Sequence, residues 1–464
     1  MADTDIVCIS PIDGREFVRR PILSDAAVDA AIAAAREAQR FWRAVPLEER
    51  QALVLRALDE LLAMNQEVVP ELAQMMGRPV RYGGEFRGVE ERTRHMVRIA
   101  QQSLADMSPD DEQPGFRRII KREPVGLVLV IEFLKYTYLT EIYTIVPALV
   151  AGNAVLLKHA SQTILAGERF QAAMDRAGIP QGVFRNLTLS HDQTSRILGA
   201  SLVDHCNFTG SVSGGRAIER AAAGTFTSLG LELGGKDPAY VRPDADMAHA
   251  IENIVDGAFF NSGQCCCGIE RIYVHESRFG EFVEGAVKLV KGYRLGNPLD
   301  EATTLGPMAH KRFADLVRRQ TAEAIAAGAK AHIATKAHPA DTGDSAYLAP
   351  QVLTGVTHAM SVMRDESFGP VVGIMKVRDD EEAIRLMNDS PYGLSAAIWT
   401  SDVEAAERLG ERIETGTVFM NRADYLDPGL AWTGVKDTGR GASLSSLGYL
   451  SVTRPKSYHL RKLS

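Results

Sequence analysis

The chain is poor in cysteine, with five among 464 residues. A sparse, odd count excludes the disulfide framework of a small secreted domain and fits a reducing cytoplasm. Excess basic charge is missing as well: 52 Lys and Arg stand against 59 Asp and Glu, a formal net charge of −7. That balance argues against nucleic acid as a main partner. The one basic cluster, Arg454, Lys456, Arg461 and Lys462, reads as a solvated tail or a subunit contact. Long apolar runs are also lacking. The longest, TIVPALVAGNAVLLK, is broken by Pro147, Gly152 and Asn153 and is too short to span a bilayer. The first residues, MADTDIVCIS, have neither the basic nor the apolar region of a secretory signal. No internal repeat and no low-complexity linker interrupts the chain, whose length suits two to three domains.

The first hundred residues read as helix. Ser24 is placed to cap DAAVDAAIAAAREAQRFWRAV, and Pro46 opens LEERQALVLRALDELLAMNQEVV. The polar MSPDDEQPG (107–115) is a loop, followed by FRRIIKREPVG as an exposed ribbon. From residue 125 the rhythm changes: VGLVLVI, NAVLLK and HCNFTG are strands separated by helical segments. Alternation of this kind predicts an α/β fold with a doubly wound parallel sheet. A second α/β region follows LGLELGGKDP and runs to about residue 440. Ligands of such sheets bind beyond the C-terminal strand ends. That points to Lys158, to the Thr209-Gly210-Ser211 turn and to the segment after Ile131.

Three of the five cysteines are adjacent, in FFNSGQCCCGIERI (259–272). A structural zinc site needs four ligands at wider spacing, and adjacent cysteines are expected to diverge, so no metal is expected. A vicinal disulfide would be strained. Small buried thiols are the plain reading of the triplet alone. Gly263 permits a tight turn that would bring a thiol toward a helix N-terminus, where a thiolate is stabilised.

The wider context separates these readings. FFNSGQCCC, LGLELGGKDP (229–238) and ESFGPV (366–371) occur with PALVAGNAVLLKHASQT, FTGSVSGGRAI, GNPLDEATTLGPM, NDSPYGLSAAIWT and WTGVKDTGRG. In this order and spacing, from about residue 10 to 450, they resemble the aldehyde dehydrogenase superfamily, and within it the shorter succinate-semialdehyde dehydrogenases. The resemblance implies a Rossmann-type cofactor domain (1–105 and 125–233), an α/β catalytic domain (234–440) and a small β oligomerisation ribbon (106–124 and 441–464). It further implies a homodimer or homotetramer acting on a small aldehyde with NAD or NADP, with no membrane and no nucleic acid involved.

The same resemblance assigns roles. Cys266 is the nucleophile, with Cys265 and Cys267 as pocket neighbours, and Glu232 is the general base. Lys158 holds the adenine ribose, while Gly210, Ser211 and Gly214 lead into a helix whose amides meet the pyrophosphate. Leu233 is a further cofactor-binding residue; Glu366 grips the nicotinamide ribose, with Phe368 nearby. No G-x-G-x-x-G follows the first strand, so the common dinucleotide fingerprint is not expected.

Two positions depart from the family pattern. Ser161 stands where NAD-preferring relatives carry Glu. A neutral hydroxyl tolerates a 2′-phosphate, so NADP is admitted and NAD is only slightly favoured. Lys135 stands where relatives place the Asn that donates to the oxyanion, and Phe133 and Leu134 replace the preceding Pro-Trp pair. Lys135 would act as a cationic oxyanion donor, or swing toward solvent or a substrate carboxylate, or pair with Glu232 and impair turnover. The last case gives the alternative of a weakened or altered member that binds nucleotide but turns over slowly. The aldehyde tunnel falls on Tyr136, Leu139, Thr140 and Tyr143, whose tyrosines suit an aromatic or medium-length aldehyde. NRADYLDP (421–428) brings Arg422, Asp424 and Tyr425 toward its mouth, where Arg422 or Lys135 would hold the acid end of a semialdehyde, or Arg422 would be a solvated loop residue.

Overall fold

Five-residue apolar strands fed by amphipathic helices close into two parallel sheets, as the alternation requires. The computed structural model describes residues 4–132 and 134–463; Phe133 lies outside the described residues. The first sheet runs in the order Gly439–Arg440, Ser228–Glu232, His205–Thr209, Leu127–Ile131, Ala154–Lys158, Phe184–Asn186. Only Gly439–Arg440 pairs antiparallel. LVLVI and AVLLK are buried at every residue, which explains why they are apolar throughout and do not alternate. Val128 and Val130 face a core shared with Trp42, Leu53 and Leu149. Leu127, Leu129 and Ile131 face the opposite core, with Val28, Ile32 and Leu198.

The register decides what gathers at the strand ends. Ile131 lies opposite Lys158 on one side and Phe208 on the other, Phe208 opposite Leu231, and Thr209 opposite Glu232. Glu132, one residue past Ile131, donates its N–H to Lys158 O at 3.1 Å. Glu132, Thr209 and Glu232 therefore form one row across three neighbouring strands.

The second sheet is ordered Lys330–Ala331, Gln351–Thr354, Val371–Val377, Ile269–His275, Asp237–Val241, Ser395–Trp399, Thr417–Met420. Phe116–Pro124 pairs antiparallel with Thr453–Arg461 in a separate two-stranded ribbon. Ser24 caps the helix Asp25–Trp42 by accepting from Ala27 N at 3.2 Å. The N-terminal segment corrects the helical expectation. Asp5–Ile9 and Glu16–Pro21 form a hairpin around Gly14, whose φ of 74° is left-handed. DIVCI alternates half-buried and buried residues, a period of two that the stronger helical signal after Ser24 obscures. Among the described residues no helix is long and apolar enough to cross a membrane.

Candidate active site

The cysteine triplet is positioned by backbone that few residues adopt. After the helix Met247–Phe259, Asn261 (φ 52°), Ser262 (φ 60°) and Gly263 (φ 68°) are all left-handed. Only glycine fits at 263, because a Cβ there would lie 2.3 Å from Gly369 O. The turn is pinned against ESFGPV in this way. Gln264 fixes its far side, its side-chain carbonyl accepting from Ala309 N at 2.8 Å.

The three sulfurs that follow all lie within 4.8 Å of one another, and those of Cys265 and Cys267 are 3.6 Å apart. This corrects the expectation that adjacent cysteines diverge. Gly268 N donates to Cys265 O at 3.2 Å, and that turn folds the triplet onto one side. Among the described residues no fourth His, Cys, Asp or Glu joins the group, so the four ligands of a structural zinc site are not assembled. Cys265 and Cys267 are buried and Cys266 is half-buried. Hydrogen bonds from its two neighbours and the nearby Lys135 charge draw Cys265 well below the usual thiol range, while Cys266 and Cys267 are pushed up.

Cys266 opens onto a cavity of about 740 Å³, whose wall also carries Cys267, Glu232, Leu233, Tyr136, Leu139, Thr140 and Tyr143. Glu232 ends its strand, takes a hydrogen bond from the Ser443 hydroxyl and is raised to about 7 by burial. Arg422, expected at the mouth, is exposed and stacks on Tyr425 with its guanidinium 3.8 Å from the ring centre. Asp424, expected beside it, does line the cavity, and Arg78 and Arg92 supply the cationic wall in its place. Both arginines are buried, and Arg78 Nη1 and Arg92 Nε have no hydrogen-bond partner. Arg92 was legible in principle: it falls on the apolar stripe of Phe86, Val89, Met96 and Ala100, where a solvated arginine would not be placed.

Lys135 is 2 % exposed, which excludes a swing into solvent. Its ammonium donates to Gln264 O, next to the triplet, and lies 4.8 Å from the centre of the Tyr136 ring. Glu232 takes the Ser443 hydroxyl while the Lys135 ammonium is held on Gln264 O, and the two do not pair. Burial lowers Lys135 to about 7, with the Cys265 and Cys266 charges opposing.

A second cavity of about 530 Å³ runs along the ends of the first sheet, lined by Lys158, Ser161, Ser211 and Gly214, with Glu132, Phe208 and Arg312. Ser211 caps the helix Val212–Ala222 by accepting from Gly214 N at 3.2 Å. A Cβ on Gly210 or Gly214 would lie 2.5 or 2.6 Å from the Phe208 ring, so these glycines let the helix start sit against that strand. A helix start and a lysine lining one groove suit a pyrophosphate. The groove fits a dinucleotide.

Thr209 lines both cavities. Glu366 sits beside Glu232's strand end, accepting from Gly235 N at 3.1 Å, and burial raises it to about 8. Phe368 donates its N–H to Glu270 at 2.8 Å. Neither Glu366 nor Phe368 lines either cavity.

Comparisons with known proteins identify the family. The aldehyde dehydrogenase family matches residues 1–458. A succinate-semialdehyde dehydrogenase [NADP(+)] of Mycobacterium avium is 32% identical over 454 residues, covering 97% of this chain and 96% of the relative. A succinate semialdehyde dehydrogenase [NAD(P)+] of Escherichia coli is 31% identical over 447 residues, covering 96% of each. The crystal structure of succinic semialdehyde dehydrogenase from Streptococcus pyogenes in complex with NADP+ superposes with a TM-score of 0.93 at 27% identity, covering 98% of this chain and 100% of that one.

Proposed function

The chain belongs to the aldehyde dehydrogenase family, and from that premise we propose that it oxidises an aldehyde to its carboxylic acid through a thioester on Cys266. The observation that carries this reading is that Cys266 and Glu232 share one cavity, which meets the dinucleotide groove at Thr209. Lys158, Ser161, Ser211 and Gly214 hold NAD or NADP, which supplies the hydride acceptor when bound. Cys266 reacts as the thiolate, the one sulfur of the three that is half-buried and lines the cavity. Attack on the carbonyl carbon makes an oxyanion, met by the Cys266 N–H and by the Lys135 ammonium, which rests on Gln264 O, does not itself line the cavity and would turn from that carbonyl to the oxyanion. After hydride leaves, Glu232 takes a proton from water as its oxygen adds to the thioester, the C–S bond breaks, and the acid departs. The weakened alternative is not favoured, since Lys135 leaves Glu232 free for this step. Mixing the protein with NAD or NADP and an aldehyde panel, and following the reduced cofactor by absorbance, tests the reading; no reduction with any aldehyde contradicts it.

Lys135 separates stability from activity. Its folded pKa of about 7 lies below the unfolded value of about 10.4. The folded chain therefore binds fewer protons between those values, and stability from this group rises with pH across that window. Burying the cation costs most below about pH 7 and least near about pH 10. Lys135→Met is expected to raise Tm most on the acid side, while kcat/KM falls by about 10²–10³. Melting curves across pH beside steady-state rates check both halves.

Ser161 sets cofactor breadth. Ser161→Glu should lower kcat/KM for NADP by about tenfold or more through like-charge repulsion with the 2′-phosphate, and leave NAD within a few-fold. Paired kinetics with the two cofactors measure it.

The walls Tyr136, Leu139, Tyr143, Leu426 and Trp432, with Arg78 and Arg92 between them, suit an aldehyde with an apolar middle and an anionic end. Succinate semialdehyde and an uncharged aldehyde of equal length, compared by kcat/KM, test this. The ribbon of Phe116–Pro124 and Thr453–Arg461 would join subunits into a homodimer or homotetramer in the cytoplasm. Sedimentation reads the mass.

A further inference from the structure

The catalytic reading gives no role to the buried acid Glu132. Glu132 is 3 % exposed and lines the dinucleotide groove at the end of its strand. Its two oxygens face two hydroxyls: Thr209 Oγ1 donates to Oε1 at 3.3 Å, and Thr140 Oγ1 lies 3.2 Å from Oε2. Thr140 also donates to Tyr136 O at 2.9 Å. Its single hydrogen serves Tyr136 O or Glu132 Oε2, one at a time. Burial first, then the neighbouring Glu141 and Glu232, hold Glu132 well above the usual carboxylate range. Both orientations of the site therefore suit a carboxyl that exchanges a proton.

The register places this acid in line with the general base. Thr209 and Glu232 are direct partners on adjacent parallel strands, which puts their side chains on one face of the sheet about 4.8 Å apart strand to strand. Glu132 continues that row on the other side of Thr209. Thr209 opens to both cavities, Glu232 to the reaction cavity and Glu132 to the groove. The row joins the two spaces with ionisable or hydroxyl groups at every step.

We propose that Glu132 carries the proton of the hydrolytic step from Glu232, through the Thr209 hydroxyl, into the dinucleotide groove. This rests on the thioester reading above. Each turnover leaves one proton on Glu232 as water's oxygen joins the acyl carbon. Glu232 passes that proton to Thr209 Oγ1, directly or across one water, while the Thr209 hydroxyl hydrogen moves to Glu132. Glu132 releases a proton to groove water, and Glu232 is again a base. One O–H bond breaks and one forms at each transfer; no electron pair leaves the row and no oxidant is consumed.

The test is rapid mixing of the full-length enzyme with excess aldehyde and NADP, following the reduced cofactor. In Glu132→Gln the first turnover, one reduced cofactor per site, should keep its amplitude and rate, and steady turnover should fall about tenfold to a hundredfold. Glu132→Asp should recover most of the loss, because it restores the exchangeable proton. Thr209→Val, close in shape but without the hydroxyl, should repeat the Glu132→Gln pattern with an unchanged Tm. The solvent deuterium isotope effect on steady turnover should grow in both variants. Steady turnover unchanged in Glu132→Gln overturns the relay, and so does loss of the first turnover together with the rest, which would make Glu132 a cofactor-positioning group. Absence of any first-turnover signal in the unmodified enzyme would instead sink the Cys266 reading.

Discussion

Cys266→Ser should lower aldehyde oxidation by about 10⁴-fold or more, the scale seen when a covalent nucleophile is removed. Tm and NADP binding should be retained. The reason lies in access as well as chemistry. Cys265 carries the low pKa of the trio but does not reach the cavity, whereas Cys266 is half-buried and lines it. A serine hydroxyl cannot carry the thiolate charge that hydrogen bonds and Lys135 stabilise in this turn. Cys265→Ala and Cys267→Ala should cost far less, because each removes a hydrogen-bond partner of the nucleophile and leaves the attacking sulfur in place. Equal losses in all three variants would mean the triplet acts as a unit with no single nucleophile.

Glu232→Gln should separate the two halves of the reaction. One reduced cofactor per site should form at near-normal speed, after which steady turnover falls by about 10²–10⁴. Glu232 is raised to about 7 by burial, with the Ser443 hydrogen bond pulling the other way. Only the ionised carboxyl takes a proton from water, so hydrolysis should rise with pH through about 7 and flatten above it. That limb should vanish in Glu232→Gln. Ser443→Ala removes a hydrogen bond to the charged form and should move the limb to higher pH. Steady-state profiles of the three proteins decide the matter.

These two residues were legible because short motifs carry them: a Gln-x-Cys after a glycine that only glycine can replace, and a glutamate ahead of a Gly-Gly turn. The strands LVLVI and AVLLK were equally plain, since a strand buried on both faces is apolar at every position. The N-terminal hairpin was not, because five residues of period two carry little signal beside eighteen of helix. Convergence of the three sulfurs depends on a turn closed by Gly268 and Cys265, which no spacing rule predicts. Of the two readings of Arg422, the solvated loop residue fits the structure, because a loop residue's direction is set by its neighbours, here the Tyr425 ring. Glu132 illustrates the general limit. The sequence pointed to the segment after Ile131, but its alignment with Thr209 and Glu232 is a matter of strand register, which appears only when the sheet is assembled.

The most direct measurement of the central claim is peptide mass analysis of Glu232→Gln quenched after one turnover with aldehyde and NADP. The account predicts one equivalent of reduced cofactor and an acyl group on Cys266 alone. An acyl group on Cys265 or Cys267, or reduced cofactor with no acylated cysteine at all, would contradict it.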